Sequence, residues 1–167
     1  MMEQDFIESR EEMEEILKEE EIGFLGVVYA GRPYVVPLNY AYRDGKIIFH
    51  CALEGRKLEA IRQNPVVSFA VARQLGPVRP HGKDPCHLDS DSVICTGVAR
   101  IVEDVRERML LLNAFNRRFR PEAEDRPLEQ IERCGCVEIT LSEMTGRRER
   151  ERVCTMWRYV FGEIQSR

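Results

Sequence analysis

The spacing of apolar side chains changes from helical to strand-like close to the N-terminus. Between residues 9 and 20 the apolar positions recur three or four residues apart, which predicts an amphipathic helix. Ser9 and Glu12 have the spacing of a capping box, in which each side chain accepts a hydrogen bond from the backbone amide of the other residue. Residues 22–30 (IGFLGVVYA) are then continuously apolar and rich in β-branched side chains. We therefore expect a helix over 9–20 followed directly by a β-strand.

Turn residues divide the next part of the chain into two more strands. Gly31-Arg32 separates the first strand from a second extended run over residues 33–43. Asp44-Gly45 is a favourable hairpin turn, because both residue types tolerate a positive φ. Residues 46–51 should therefore return antiparallel, which gives a meander of three strands.

The rest of the chain alternates between short helices and strands. A helix over 54–64 should end before Pro65, because proline disfavours the helical conformation of the residue before it. Further helices are predicted over 103–119 and 127–133, and further strands over 65–73, 91–102 (with a bulge at Gly97) and 136–141. The remaining segments are an irregular loop over 74–90, a charged stretch over 145–152 (TGRRERER), and an apolar tail in which Trp157, Tyr159 and Phe161 alternate.

This succession of strands with a few helices between them predicts the fold class. A doubly wound parallel sheet needs a crossover after nearly every strand, and the sequence does not provide one. We expect a mainly β protein with peripheral α-helices, built as a closed or split antiparallel barrel of six strands. No repeat or linker divides the sequence, so residues 1–167 are predicted to form a single domain.

Composition and charge exclude several classes of protein. The chain has 167 residues, of which 43% are hydrophobic and 32% are charged, as in an ordinary globular protein. With 29 acidic and 25 basic residues the net charge is −4, which argues against a general nucleic-acid binder. No apolar run is long enough for a membrane helix, and the N-terminus lacks the features of a signal peptide. We expect a cytoplasmic protein with free thiols and no membrane or nucleic-acid partner.

The sequence also argues against a metal site. One loop contains His81, Cys86, His87 and Asp89, and Cys134 and Cys136 lie far downstream. Neither group has the paired C-x-x-C spacing of a zinc ribbon, so no metal is predicted.

The strongest candidate for chemistry is the segment HCALEGRK (50–57), where a strand ends and a helix begins. Gly55 allows close approach to the backbone amides of the helix N-terminus, Arg56 offers a bidentate guanidinium, and Lys57 offers a point charge. Together these groups describe a phosphate site. The alternative is a solvated helix start at which both cations face water.

A second candidate is the run Val36-Pro37-Leu38-Asn39 in the second predicted strand. A proline within a strand lacks a donor for the sheet and marks a bulge or an edge, where the backbone can face a planar heterocycle. The alternative is a simple kink in an edge strand.

Taken in order, these segments resemble the pyridoxamine 5′-phosphate oxidase-like FMN-binding split-barrel superfamily, and within it the nitroimidazole-resistance-type flavoproteins. The resemblance covers residues 10–150 and rests on YVVPLNYAY (34–42), IIFHCALEGRK (47–57), LEAIRQNPVVSFAV (58–71), SVICTG (92–97) and MTGR (144–147). It implies a homodimer with FMN at the interface and a flavin-dependent oxidoreductase acting on a small, nitroaromatic or other, molecule.

The resemblance also implies the residues that bind the flavin. The strand that contains Val36, Pro37, Leu38 and Asn39 would lie along the isoalloxazine ring, and Ser92 would make a polar flavin contact across the dimer. The remaining implied contacts flank the ring and ribityl chain or hold the 5′-phosphate: His50, Cys51, Ala52, Gly55, Arg56 and Lys57.

The sequence departs from the vitamin B6 oxidases of this superfamily at two positions. Those enzymes have arginine and lysine where this chain has Tyr34 and Asn39, so oxidation of vitamin B6 is not expected. His50 is the one candidate for a catalytic acid or base; otherwise it is a locally hydrogen-bonded strand residue. A reduced nicotinamide would dock transiently, because no dinucleotide-binding G-x-G-x-x-G segment is present.

Two alternatives to an oxidoreductase remain open. The chain could be a flavin-binding module without turnover, acting as a carrier or sensor. It could also be a split barrel that binds haem or deazaflavin, in which case an axial haem ligand would have to come from His50, His81 or His87.

Overall fold

Strands make up most of the structure, with four helices at its periphery among the described residues. The computed structural model describes residues 5–7, 9–76, 79–81, 84–87, 89–150 and 153–162, with side chains for 9–76, 89–150 and 158–162. The elements in chain order are β1 (Asp5–Ile7), α1 (Arg10–Glu19), β2 (Ile22–Tyr29), β3 (Arg32–Asn39), β4 (Ala41–Arg43), β5 (Lys46–Cys51), α2 (Arg56–Gln63), β6 (Val66–Gln74), β7 (Arg79–His81), β8 (Asp84–His87), β9 (Ser90–Ile101), α3 (Val105–Phe119), α4 (Leu128–Ile131), β10 (Gly135–Arg150) and β11 (Val153–Val160).

The principal sheet has the order β1-β11-β10-β9-β6-β2-β3, with β5 also paired to β10 and β4 paired to β5. Its strand pairs are antiparallel except for β1 with β11. β3 lies beside β5, so the sheet curls into a barrel. The mainly antiparallel fold and its six principal strands, β2, β3, β5, β6, β9 and β10, confirm the prediction. β4 lies within the second predicted extended run, and β11 covers most of the apolar tail, in which Trp157 and Tyr159 alternate as in a strand. The short strands β1, β7 and β8 were not predicted.

The long strand β10 pairs with three other strands. Along one edge its first half pairs with β5 and its second half pairs with β11, while β9 follows the other edge. The register shifts between Leu141 and Glu143, so the bulge lies in β10. The prediction placed the bulge at Gly97, on β9, and is therefore wrong about the strand. Gly97 pairs with Leu141, the residue of β10 at which the bulge begins. A Cβ at Gly97 would lie 2.5 Å from the Thr140 carbonyl oxygen, so the glycine permits this close approach.

Two tight turns set the registers of the hairpins. Asp44 and Gly45 have φ values of 49° and 77°, which confirms the turn predicted between β4 and β5. In the β2–β3 hairpin the residues with positive φ are Ala30 and Gly31, at 50° and 73°, so this turn lies one residue earlier than predicted. Tyr40 interrupts the second extended run, which forms β3 and β4 rather than one strand.

Two apolar clusters hold the layers together. The larger fills the barrel beneath α1 and α2, and its largest fully buried side chains include Tyr40, Phe49 and Phe69. The smaller lies on the outside of β5 and β10, where Ile48 and Cys136 pack under Leu112 of α3. α3 thus covers the outer surface of the strand that carries His50.

Two polar segments differ from the predictions. Ser9 is the N-cap of α1, but its side chain makes no capping hydrogen bond. The Glu12 carboxylate, which a capping box would direct back to the Ser9 amide, forms an ion pair with Arg148 at 2.8 Å. The charged stretch 145–152 continues as strand to Arg150, because Arg148 and Arg150 bind the buried carboxylate of Asp91. The charges therefore extend the strand instead of ending it.

Candidate functional site

The helix α2 begins at a backbone conformation that favours glycine. Gly55 is the N-cap residue with φ 134°, and its carbonyl oxygen accepts hydrogen bonds from the amides of Leu58 and Glu59 at 2.9 and 3.1 Å. A Cβ at this position would meet no atom within 4 Å. The first amides of a helix have no partner within it, so the space beside Gly55 is open to a ligand that accepts hydrogen bonds.

Two cations follow Gly55 immediately. Arg56 is exposed and Lys57 is partly buried, with its Nζ 5.7 Å from the centre of the Phe49 ring. Within the described residues neither cation forms an ion pair with a carboxylate. Because they lack such partners, both are available to an anion at the helix N-terminus.

His50 lies on the outer face of β5, against α3. Its ring meets the Phe115 ring edge to face, with centres 5.1 Å apart. Loss of hydration lowers the pKa of His50 below its usual value of 6.5, and the positive charges of Arg126 and Lys57 lower it further. The imidazole is therefore neutral at pH 7 and can both donate and accept a hydrogen bond.

The neighbouring thiols are buried and protonated. Cys51 lies opposite Gly135, between β5 and β10, and burial raises the pKa of its thiol, with Lys57 opposing the rise. Burial also raises the pKa of Cys136 to about 12. These thiols are therefore poor nucleophiles at neutral pH. Ala52, the next residue after Cys51, is exposed.

Two arginines that the sequence analysis missed also act on this region. The charge of Arg108, on α3, opposes the rise in the pKa of Cys51, and that of Arg126 contributes to lowering the pKa of His50. Neither arginine has a carboxylate partner among the described residues, and Arg108 Nε is buried without a hydrogen-bond partner there. No local motif marks them, because they reach the site from a distant part of the sequence.

The run 36–39 lies on β3, which pairs only with β2 among the described strands. Pro37 lies opposite Phe24, and Asn39 lies opposite Ile22. The Asn39 Nδ2 donates a hydrogen bond to the Glu21 carbonyl oxygen at 3.0 Å, so its side chain ties the strand to the end of α1. Val36 and Leu38 are partly buried, whereas Pro37 and Asn39 are exposed.

The sheet places the candidates at two different ends. His50 on β5 pairs with Cys136 on β10. The next residue of β10, Val137, pairs with Ile101, the last residue of β9. His50 therefore lies at the end of the sheet where β9 ends. α2 begins at the same end, because only four residues separate its first residue, Arg56, from Cys51 at the end of β5. The structure therefore brings together His50, Cys51, Ala52, Gly55, Arg56 and Lys57.

Ser92 and Asn39 lie toward the other end of the sheet. Ser92 pairs with Ala72 and Arg147 near the start of β9, about 30 Å along the strand from Ile101. Within one copy of the chain, Ser92 is therefore not part of the cluster around Arg56. Val36 lies between the two ends, opposite Leu25.

The outer face of β2, β3, β6 and β9 is apolar and exposed. Its side chains come from neighbouring strands in register: Phe24 lies opposite Ala70, which lies opposite Ile94, and Val66 lies opposite Val98. The exposed fraction is 45% for Phe24 and 52% for Ile94. The exposed members of this face, which we call the apolar sheet face, are Ile22, Phe24, Val28, Val35, Val66, Ile94 and Val98.

The described part of the chain contains neither a metal-binding group nor a membrane-spanning helix. There, no cluster of three His, Cys, Asp or Glu residues could hold a metal ion. His81, Cys86 and His87 of the predicted loop, and Trp157 of the tail, lie outside the residues whose side chains are described. The four cysteines described, Cys51, Cys95, Cys134 and Cys136, are free thiols. None of the described helices is both long and apolar enough to cross a bilayer.

Comparison with known families settles what kind of protein this arrangement belongs to. The family model described as pyridoxamine 5′-phosphate oxidase matches residues 9–148. The chain belongs to the pyridoxamine 5′-phosphate oxidase family. Its match includes every candidate residue named above, and it confirms the resemblance seen in the sequence. A search of curated proteins finds no relative that matches the chain.

Solved structures place this family member among split-barrel proteins. A candidate 5-nitroimidazole antibiotic resistance protein from Bacteroides thetaiotaomicron is 25% identical, with 84% of each chain covered and a TM-score of 0.74. An FAD-binding protein from Mesorhizobium loti is 25% identical over 85% of this chain and 96% of its own, with a TM-score of 0.61. The flavocytochrome Anf3 from Azotobacter vinelandii is 15% identical over 96% and 82%, with a TM-score of 0.77, and shows the fold alone. The fold is a split β-barrel.

Proposed function

We propose that this family member binds FMN, with the 5′-phosphate at the N-terminus of α2. One observation carries the proposal: Arg56 and Lys57 have no carboxylate partner among the described residues and follow a glycine with open space beside it. A phosphate there would accept hydrogen bonds from the first helix amides and would neutralise both cations. The residues present therefore fit the group.

The ring of the flavin would lie beyond the phosphate, toward β3 and β5. Pro37 removes an amide from the edge of β3, and the partly buried Val36 and Leu38 offer an apolar surface to a planar ring. Ala52 is exposed beside the phosphate site, and Cys51 closes the barrel behind it. The neutral His50 would donate to, or accept from, a polar atom of the flavin or of its substrate.

The proposed holoprotein is a homodimer joined through the apolar sheet face, with FMN at the interface. Large apolar patches on a surface mark interaction sites, and a two-fold axis would pair this face with itself. The resemblance implies that Ser92 contacts the flavin, and because Ser92 lies at the end of the sheet remote from Arg56, it would make that contact only from a second copy. In this arrangement the partner's Ser92 would complete the site.

The proposed activity is reduction of a small molecule. When bound, the flavin supplies the electron transfer, while the chain supplies binding, orientation and electrostatics. Arg108 and Arg126 add positive charge beyond Arg56 and Lys57, which favours an acceptor that is anionic or that gains negative charge on reduction near His50. Nitroaromatic compounds are the first acceptors to test, because of the Bacteroides neighbour. Electrons would come from a reduced nicotinamide or a separate reductase in the cytoplasm, the location that the sequence predicts.

The decisive experiment is a titration of the purified apoprotein with FMN, followed by absorbance. We expect Arg56→Ala with Lys57→Ala to weaken FMN binding by about 2–4 kcal/mol, since charge-assisted contacts are lost, with little change in Tm. Arg62→Ala, an exposed arginine in the last turn of the same helix, is the matched control and should bind FMN normally. Equal affinity in all three proteins would overturn the phosphate assignment, and a Soret band in place of flavin peaks would indicate haem.

Turnover and assembly are tested separately. Anaerobic reduction by NADPH, followed by reoxidation with a nitroaromatic compound, would support a reductase; bound flavin that no acceptor reoxidises would indicate a carrier or sensor.

Ile94→Arg puts a charge in the apolar sheet face and should yield a monomer with weakened FMN binding. A wild-type monomer that retains FMN in sedimentation would contradict the dimer.

A further inference from the structure

A separate cavity of about 460 Å³ lies between α1, the β4–β5 hairpin and α3. This volume falls in the range of small-molecule sites. Five of its lining residues are apolar or aromatic: Ala41, Tyr42, Ile48, Ala114 and Phe115. The other four are cations, and none of the described lining residues is acidic.

The apolar part of the cavity is held in place by the core. Tyr42 and Ile48 are 7% and 5% exposed, and the Tyr42 hydroxyl donates to Glu14 at 2.8 Å. The Phe115 ring packs against the rings of His50 and Phe119, and its centre lies 5.1 Å from the centre of each. The cavity therefore offers two aromatic walls whose positions do not depend on a ligand.

The two outer cations, Lys18 and Arg43, are only weakly engaged. Lys18 is 57% exposed and lies 3.4 Å from Glu14, while Arg43 lies 3.3 Å from its chain neighbour Asp44, and both of those side chains are largely exposed. Ion pairs of this kind contribute little, since water competes for both partners. Either side chain can therefore turn to an anion in the cavity at small cost.

Arg118 supplies a positive charge that no described carboxylate neutralises. Its guanidinium donates to the carbonyl oxygens of Tyr40 at 3.0 Å, Lys18 at 2.8 Å and Glu20. These contacts lock Arg118 to the C-terminus of α1 while leaving its full charge at the cavity wall. Arg117, by contrast, forms an ion pair with Asp125.

From this combination we propose that the cavity is a binding site for an aromatic anion of one or two rings. The ring lies between Tyr42 and Phe115, and its acidic group, a carboxylate or a phosphate, faces Arg43 and Lys18. The site is distinct from the proposed FMN phosphate site, since its cations come from α1, β4 and α3 rather than from α2.

Calorimetric titration of the full chain tests this ligand class. If the protein binds FMN, it is first saturated with FMN, so that the probes cannot enter the FMN site. The probes are 2-naphthoate and 2-naphthyl phosphate, which distinguish the two acidic groups, with neutral 2-naphthamide and ring-free acetate as controls. At least one naphthyl anion should bind at least about tenfold more tightly than the amide, as expected for a charge-assisted contact, and acetate should bind weakly. Equal affinity for the anions and the amide would overturn the proposal.

Variants locate the site. Ala114→Trp fills the cavity and should abolish binding, while Arg43→Ala should weaken it about fivefold or more, given that its present partner is exposed. Arg62→Ala, which removes an exposed charge elsewhere, should bind the naphthyl anions like wild type. If Ala114→Trp lowers the Tm, its loss of binding could reflect unfolding, and the affinity of Arg43→Ala then decides whether the cavity is the site. Loss of binding in Arg56→Ala with Lys57→Ala, but not in Arg43→Ala, would place the anion in the FMN site and overturn the proposal.

Discussion

The buried carboxylate of Asp91 accepts two hydrogen bonds from the Arg73 guanidinium, at 3.1 and 3.2 Å. Arg148 and Arg150 bind the other carboxylate oxygen at 3.1 and 2.9 Å. Asp91 is 0% exposed and its three arginine partners are 22–37% exposed, so this network joins β6, β9 and β10 around a buried carboxylate. It explains why a strand rich in arginine can continue across the end of the barrel.

Removing this carboxylate charge should destabilise the fold strongly. Asp91→Asn leaves three arginines around a neutral side chain, and we expect a loss of about 3–5 kcal/mol in the free energy of unfolding, the usual effect of breaking a buried ion pair. Urea denaturation measures it. The control is Asp125→Asn, which breaks the exposed pair with Arg117 and should cost less than about 1 kcal/mol. Similar losses in the two variants would show that the network contributes no more than a surface pair.

The same network predicts a loss of stability in acid. Burial alone would raise the pKa of Asp91, but the hydrogen bonds from Arg148, Arg73 and Arg150 outweigh it and lower the pKa below its usual value of 3.8. A carboxylate with a lowered pKa stabilises the fold above the pKa of the unfolded chain, and this contribution disappears as the pH falls through the folded pKa. The free energy of unfolding should therefore fall between about pH 5 and pH 2. In Asp91→Asn the decrease over this interval should be smaller; an unchanged slope would show that other carboxylates cause it.

Gly97 should not tolerate even one added methyl group. A Cβ there would lie 2.5 Å from the Thr140 carbonyl oxygen and 2.8 Å from Ile139 Cγ2, so Gly97→Ala must push β10 away from β9. We expect a loss of about 1–3 kcal/mol by thermal or urea unfolding. Gly26→Ala is the matched strand control, because its Cβ would meet Ser68 at an ordinary 3.6 Å. The crowding argument fails if Gly97→Ala unfolds no more easily than Gly26→Ala.

His50 should titrate below pH 6.5 in the flavin-free protein. Lys57→Ala and Arg126→Ala each remove a positive charge that disfavours imidazolium, so each should move the midpoint upward. The NMR shift of the imidazole Cε1–H against pH gives the midpoint directly. Arg62→Ala should leave it unchanged. A wild-type midpoint at or above 6.5 would show that the ring is better hydrated than its contact with Phe115 implies.

Much of the fold could be predicted because its signals are local. The Asp44-Gly45 turn, the apolar run of β2 and the Pro65 stop after α2 depend on a few neighbouring residues, and each was predicted within a residue or two. The length of β10 could not be predicted, since the charges of Arg148 and Arg150 are compatible with a strand only when Asp91, far away in sequence, supplies their partner.

The candidate site divides in the same way. Gly55, Arg56 and Lys57 are adjacent, so the sequence alone predicted a phosphate site at the start of a helix. The structure shows open space beside Gly55 and, among the residues it describes, no carboxylate paired with either cation. Arg108 and Arg126 carry no local signal, because a charge is recognised as part of a site only when folding brings it near one.

By itself, then, the sequence determined the antiparallel barrel, the position of the α2 cations and the family. Periodicity, turn residues and contiguous motifs depend only on neighbouring residues, so they can be read without knowing any distant contact. Only the tertiary structure decided that Ser92 lies at the opposite end of the sheet from Arg56, that the apolar sheet face is exposed, and that α1, β4 and α3 enclose a cationic cavity. These features depend on strand register and on helix packing, which join residues far apart in the chain and therefore leave no pattern along it.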